Sequence, residues 1–210
     1  MKLIGMLDSP YVRRVAVSLQ MLGLRFEHQS LSVFSTFEQF RQINPVVKAP
    51  TLLAEDGTVL MDSTLILQYA EAVAMPAARR TPVMPAELLR SQYLLGLALA
   101  ACDKAVQIVY ERMVRPAEKQ HQPWVARVTS QTLAALDALE SEQKLNPLDA
   151  SSAAMPPAGV MIAVTWYFIQ QMLPEVVTAA NYPALAEYSR QAEALPEFKA
   201  APHGDGTYLG

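Results

Sequence analysis

The stretch Met75–Pro85, MPAARRTPVMP, divides the chain into two parts that cannot share one architecture. Prolines and adjacent arginines break the apolar periodicity there, which marks a linker. Before it, short apolar runs of strand length alternate with helical patterns. After it, apolar residues recur only at helical spacing. The pattern predicts an α/β domain over residues 1–75, a linker over 76–86 and an all-helical domain over 87–210. A chain of 210 residues has room for two small domains of this kind.

In the first part, Lys2–Met6 reads as a strand. Ser9-Pro10 then opens a helix, because serine caps free N–H groups and proline suits the first helical position. Val12, Val15, Ala16, Leu19 and Leu22 follow at helical spacing, and Gly23 closes the helix. Phe26–Leu31 is a second strand, so the opening is a βαβ unit with parallel pairing. A short helix over Thr36–Ile43 leads to Asn44-Pro45. Thr51–Ala54 and Val59–Met61 flank Asp56-Gly57, a strong hairpin signal. Asp62-Ser63 opens another helix through Leu65, Ile66 and Tyr69. The order is β-α-β-α-β-β-α.

In the second part, Glu87–Val114 reads as a helix of about seven turns, and Trp124–Gln143 as another. Val160–Leu173 is apolar on nearly every side and belongs in the middle of a bundle. Pro183–Ala194 and Glu197–Ala200 read as shorter closing helices, with Pro202–Gly210 a poorly ordered end.

Composition excludes several function classes. The net charge is −3 and no basic run exists to neutralise phosphates, so no nucleic-acid partner is expected. The apolar run Gly159–Ile169 is too short to span a bilayer, and MKLIGMLDSP lacks the features of a signal peptide, so no membrane partner is expected. The single cysteine, Cys102, excludes an intrachain disulfide and fits a reducing, cytoplasmic compartment. His28, His121 and His203 offer no ligand spacing, so no metal is expected.

Ser9 is a helix cap on its plainest reading. The same position suits a second role, since a hydroxyl at a helix N-terminus can meet a ligand sulfur where the helix dipole favours negative charge. No thiol stands at this helix start, so disulfide exchange through an enzyme cysteine is excluded there. Cys102, inside the long helix, reads as a small core residue.

Ser9-Pro10-Tyr11 at a helix start, Lys48-Ala49-Pro50 before a strand, Asp56-Gly57 in a hairpin and Asp62-Ser63 at a helix start stand in one order. This order, followed by an all-helical part, resembles the glutathione transferases. Residues 106–140, VQIVYERMVRPAEKQHQPWVARVTSQTLAALDALE, resemble bacterial members of that family in particular. The resemblance implies an α/β plus all-α fold: a thioredoxin-like β-α-β-α-β-β-α domain followed by a helical bundle.

It also implies a site. Ser9 would hydrogen-bond the glutathione sulfur and stabilise its thiolate. The Ala49-Pro50 bond would be cis, presenting the N–H and C=O of Ala49 to the cysteinyl backbone of glutathione. Lys48 would reach the glycine carboxylate, with a solvated lysine as the alternative. Asp62 would meet the γ-glutamyl ammonium and Ser63 its carboxylate, with helix capping as the alternative. Tyr11, Cys102, Val106 and Tyr110 would wall the second-substrate pocket, although apolar positions of this kind are more often core. The family's buried sixth helix usually opens with a Ser/Thr-x-x-Asp box. Here Met155-Pro156-Pro157-Ala158-Gly159 stands instead, and proline would preorganise the first turn.

The activity implied is conjugation of the glutathione thiolate to small electrophiles, by a homodimer with glutathione as co-substrate and no metal. A non-catalytic carrier or interaction module is the alternative, and a glutathione-dependent peroxidase or isomerase a third reading.

Overall fold

The computed structural model describes residues 1–210 in two units, Met1–Thr81 with Ala194–Gly210 and Pro82–Glu193. The first unit contains strands β1 (Lys2–Ile4), β2 (Glu27–Gln29), β3 (Thr51–Leu53) and β4 (Val59–Leu60). Its helices are α1 (Pro10–Met21), α2 (Phe37–Ile43) and α3 (Ser63–Val73).

The four strands form one sheet in the order β2-β1-β3-β4. β1 runs parallel to β2, with Leu3 opposite His28. It runs antiparallel to β3, with Leu3 opposite Leu52, and β3 pairs antiparallel with β4. The expected element order and βαβ opening are present. The second strand is shorter than Phe26–Leu31, spanning only Glu27–Gln29. Leu3 and Ile4 are both fully buried and, as neighbours on a strand, serve opposite faces. Ile4 joins Leu31 and Phe40 of α2 in one apolar cluster extended by Val33, Ile43, Val47 and Ala49. Full burial of a side chain like Ile4 or Phe40 contributes about 1.5–3 kcal/mol. α1 packs on β1 and on α3.

The second unit contains α4 (Pro85–Met113), α5 (Gln122–Leu145), α6 (Pro157–Met172) and α7 (Pro183–Glu193). α4 packs against α5 and α6, and α7 against both α6 and α5. α6 is the core helix, with every residue from Ala158 to Trp166 buried. By length and composition α4 would pass for a bilayer-spanning helix, but its stripe Leu94, Ala98, Ala101, Cys102, Ala105 and Ile108 is buried within the bundle. No side chain caps the start of α6, and Pro157 occupies its first turn. Glu140 of α5 instead caps a different helix, accepting the N–H groups of Ala184 and Leu185 at the start of α7.

Two expected boundaries require correction. The helical unit ends at Glu193, because Ala194–Gly210, including α8 (Pro196–Ala200), belongs to the first unit. Arg13 of α1 is 2 % exposed; its Nε donates to the carbonyl of Ala201 (2.8 Å), and its guanidinium lies 5.6 Å from the centre of the Phe198 ring. Pro202–Gly210 is not a detached end either. Tyr208 stacks on Phe26 with ring centres 4.5 Å apart, and Ser30 Oγ donates to the carbonyl of Asp205. The first half of the linker also belongs to the first unit: the N–H groups of Arg80 and Thr81 donate to the Glu71 carboxylate.

Candidate functional site

Ser9 is the N-cap of α1, in extended backbone (φ −71°, ψ 121°), with Pro10 in the first turn. The Val12 N–H donates to Ser9 Oγ across 3.4 Å, a long capping bond. A hydroxyl that accepts from the helix keeps its own proton for donation to another group. The N-terminal end of α1 adds a positive partial charge at the same place.

The second group is the turn before β3. The Ala49–Pro50 peptide is cis, as the resemblance implied. Its surroundings are held by buried polar side chains. Asn44 Nδ2 donates to Thr51 Oγ1 (2.8 Å), and Thr51 Oγ1 donates to the carbonyl of Lys48 (2.7 Å). Asn44 Oδ1 accepts the Val46 N–H, and the Val47 N–H donates to the carbonyl of Asn44. Val47 takes a left-handed conformation (φ 52°), which a β-branched residue adopts only at a cost. No hydrogen bond within the protein takes up the N–H or C=O of Ala49. Lys48 is exposed.

Gly5, at the end of β1, brings these two groups together. Its φ is +135°, and a Cβ there would stand 2.6 Å from Val12 Cγ2 and 3.2 Å from Ala49 Cβ. Only a residue without a side chain lets the strand end, the first turn of α1 and the Ala49-Pro50 turn converge. His28 Nε2 lies 2.8 Å from the Gly5 carbonyl, while the Tyr208 N–H meets His28 Nδ1 at 3.0 Å. A carbonyl only accepts and an N–H only donates, so the ring is neutral with its proton on Nε2. Burial lowers the His28 pKa from its ordinary value of 6.5.

The third group is the start of α3. Asp62 is its N-cap, and Asp62 Oδ1 accepts the N–H groups of Thr64 (3.0 Å) and Leu65 (3.4 Å). The cap leaves the N–H of Ser63 unused. Arg14, 2 % exposed, reaches from α1 to this point, where its Nη1 donates to Ser63 Oγ and to Thr64 Oγ1, each at 3.1 Å. The starts of α1 and α3 are thereby joined by one guanidinium. Chemically the first unit offers a hydroxyl donor, an unused strand-like backbone edge and a helix N-terminus with an adjoining cation. This set suits an extended peptide-like anion.

The residues expected to wall a second pocket fall on different elements. Tyr11 lies in the first turn of α1, half-buried. Cys102, Val106 and Tyr110 lie on one face of α4 at i, i+4, i+8 spacing. Cys102 is fully buried where α4 packs within the bundle, so it has no surface with which to line a pocket, and the expectation is corrected there. Tyr110 is 46 % exposed and borders a cleft of about 310 Å³ with Gln107, Val114 and Trp124.

Sequence reading missed Arg14, Gly5, Asn44 and Thr51. The one legible sign of Arg14 was the pair Arg13-Arg14 inside an otherwise apolar helical run, which the structure buries without interruption from Val12 to Leu19. Two charges there must each find an internal partner.

Residues 3–76 match the glutathione S-transferase N-terminal domain family. The chain is 28 % identical over 174 residues to YibF, an uncharacterized GST-like protein of Escherichia coli, covering 83 % of this chain and 85 % of that one. A glutathione S-transferase from Methylobacterium radiotolerans, solved with glutathione sulfonate, superposes with a TM-score of 0.85 at 25 % identity, covering 95 % of this chain and 93 % of the other. A glutathione transferase family member from Pseudomonas fluorescens, solved with bound glutathione, has a TM-score of 0.80 at 26 % identity, covering 95 % and 97 %.

Proposed function

We propose that this chain, whose residues 3–76 match the glutathione S-transferase N-terminal domain family, acts as a glutathione transferase that binds glutathione in its first unit and conjugates the thiolate to small electrophiles. The observation that carries the reading is the set of groups that the fold orients but does not consume. These are the Ser9 hydroxyl proton, the N–H and C=O of Ala49, and the N–H of Ser63. Ala49 pairs with the cysteinyl backbone as a short added strand. Ser63 receives the γ-glutamyl carboxylate at the start of α3, and the outward oxygen of Asp62 receives the ammonium. Lys48 meets the glycine carboxylate. Ser9 donates to the sulfur and, with the α1 dipole, favours the thiolate, which is the nucleophile. An electrophile brought to the thiolate at Ser9 reacts there, and holding the two together supplies the remaining acceleration.

The working form is a homodimer. Leu65, Tyr69 and Val73 form an exposed apolar stripe along α3 at i, i+4, i+8 spacing, at 53 %, 38 % and 46 % exposure. Such a stripe suits a two-fold contact.

Turnover of glutathione with a panel of halides, epoxides and peroxides tests the activity. Conjugation products support the reading. Glutathione binding without turnover of any electrophile favours a carrier, and turnover of peroxides alone favours a peroxidase.

A further inference from the structure

We propose that Arg14 is a positioning residue for ligand recognition: it turns the hydroxyl proton of Ser63 outward, toward the carboxylate of a bound ligand. The proposal rests on the glutathione reading above and assigns a role to a residue that touches no ligand.

The argument begins with donor and acceptor counting. A guanidinium has five N–H donors and no acceptor, whereas a serine hydroxyl has one donor and two acceptor positions. Arg14 Nη1 donates to Ser63 Oγ at 3.1 Å, so that contact occupies an acceptor position of Ser63. The Ser63 proton must then point away from Arg14. Left to itself, a serine in the first turn of a helix can rotate its hydroxyl to serve a nearby backbone group. The second contact, from the same Nη1 to Thr64 Oγ1 at 3.1 Å, prevents the guanidinium from following such a rotation.

Burial gives the arrangement its reach. Arg14 and Ser63 are 2 % and 3 % exposed, so little water stands between them. A hydrogen bond from a cation polarises the hydroxyl it binds and strengthens that hydroxyl as a donor in turn. The adjacent unused N–H of Ser63 points from the same helix start. A carboxylate is the ligand group that takes both donors and also gains from a nearby positive charge. A carboxamide of the same shape presents one neutral acceptor and two N–H groups, and it gains neither benefit.

The test is a double-mutant cycle read against two ligands: glutathione, and glutathione whose γ-glutamyl α-carboxylate is replaced by carboxamide. Calorimetry should show the wild type binding glutathione about tenfold or more tightly than the carboxamide. Arg14→Met and Ser63→Ala should each weaken glutathione by about that factor and leave the carboxamide within about twofold. The double variant should lose little more than either single one. Equal weakening of both ligands by Arg14→Met, or losses that multiply in the double variant, would overturn the proposal. If Arg14→Met does not fold, Thr64→Val removes one anchor of the guanidinium and keeps the side-chain shape. It should weaken glutathione a few-fold and spare the carboxamide, and equal affinity loss for both, or none, would overturn the proposal. A wild type that binds neither ligand would overturn the glutathione reading itself. One that binds glutathione and the carboxamide alike would overturn only the role of Arg14.

Discussion

The hydroxyl oxygen of Tyr188 on α7 fills the space that a Cβ at Gly159 on α6 would occupy. Met155 Cγ and Pro156 Cδ close the same space at 3.0 and 3.4 Å. In an unconstrained helix, Gly→Ala stabilises by roughly 0.5–1 kcal/mol. At this position overpacking, at about 1–3 kcal/mol, outweighs that gain. Gly159→Ala should therefore lower stability in urea unfolding. Tyr188 is buried and its hydroxyl has no hydrogen-bond partner, so Tyr188→Phe should cost little by itself and should recover most of the Gly159→Ala loss. Independent, additive effects of the two substitutions would show that the contact is not the cause.

Gly5→Ala tests the convergence point of the site. The substitution asks a side chain to adopt φ +135° and to stand 2.6 Å from Val12 Cγ2. It should cost about 2 kcal/mol or more and should weaken glutathione binding, because Val12 and Ala49 must both shift. Unchanged binding in a folded variant would mean that the turn before β3 is positioned by Asn44 and Thr51 alone.

The tail gives the protein an acid-sensitive contact. His28 must be neutral to accept the Tyr208 N–H on Nδ1 while donating from Nε2 to the Gly5 carbonyl. Its pKa in the folded protein is lowered by burial, so the unfolded chain binds the extra proton first. The contribution is fully present above pH 6.5 and is lost as the pH falls from there through the lower folded value. Stability measured against pH should show this loss in the wild type. It should be much reduced in a chain lacking residues 207–210, where Nδ1 has no N–H to accept. An identical acid profile in both would contradict the assignment.

Light scattering tests the exposed stripe of α3. The wild type should run at twice 23.1 kDa, and Tyr69→Glu should run as a folded monomer, since a charge in a two-fold apolar contact meets its own copy. A monomeric wild type at assay concentration would contradict the homodimer.

The residues explain what a reader of the sequence could and could not see. Ser9-Pro10, Asp56-Gly57 and the uncharged run that becomes α6 are local signals, because capping, hairpin turns and all-round burial act over a few residues. They located α1, the β3–β4 hairpin and the core helix. The return of Ala194–Gly210 to the first unit was not legible, since Arg13 meets Ala201 across 188 positions of sequence. Pro202–Gly210 is polar and glycine-rich, which reads as a frayed end until Phe26 supplies a ring for Tyr208. The second strand lost its flanks for a related reason: Phe26 is engaged by the tail and Leu31 by the cluster around Ile4. Among the site residues, Ser9, Asp62 and Ser63 were visible as helix starts. Arg14 was not, because its contact with Ser63 spans 49 positions and leaves no local pattern.

Titration of the thiol of bound glutathione, followed by the ultraviolet absorbance of the thiolate, tests the central claim most directly. A free thiol ionises near pH 8.5. Bound to the wild type it should ionise well below that value, and Ser9→Ala should move it back up by about one to two pH units, equivalent to the loss of one hydrogen bond to a charged group. Glutathione affinity should fall much less, since Ala49 and Ser63 supply contacts that do not involve Ser9. Stability must be followed in parallel, because the lost cap costs about 1 kcal/mol. The same thiol titration in wild type and in folded Ser9→Ala would contradict the account and leave Ser9 as a helix cap alone.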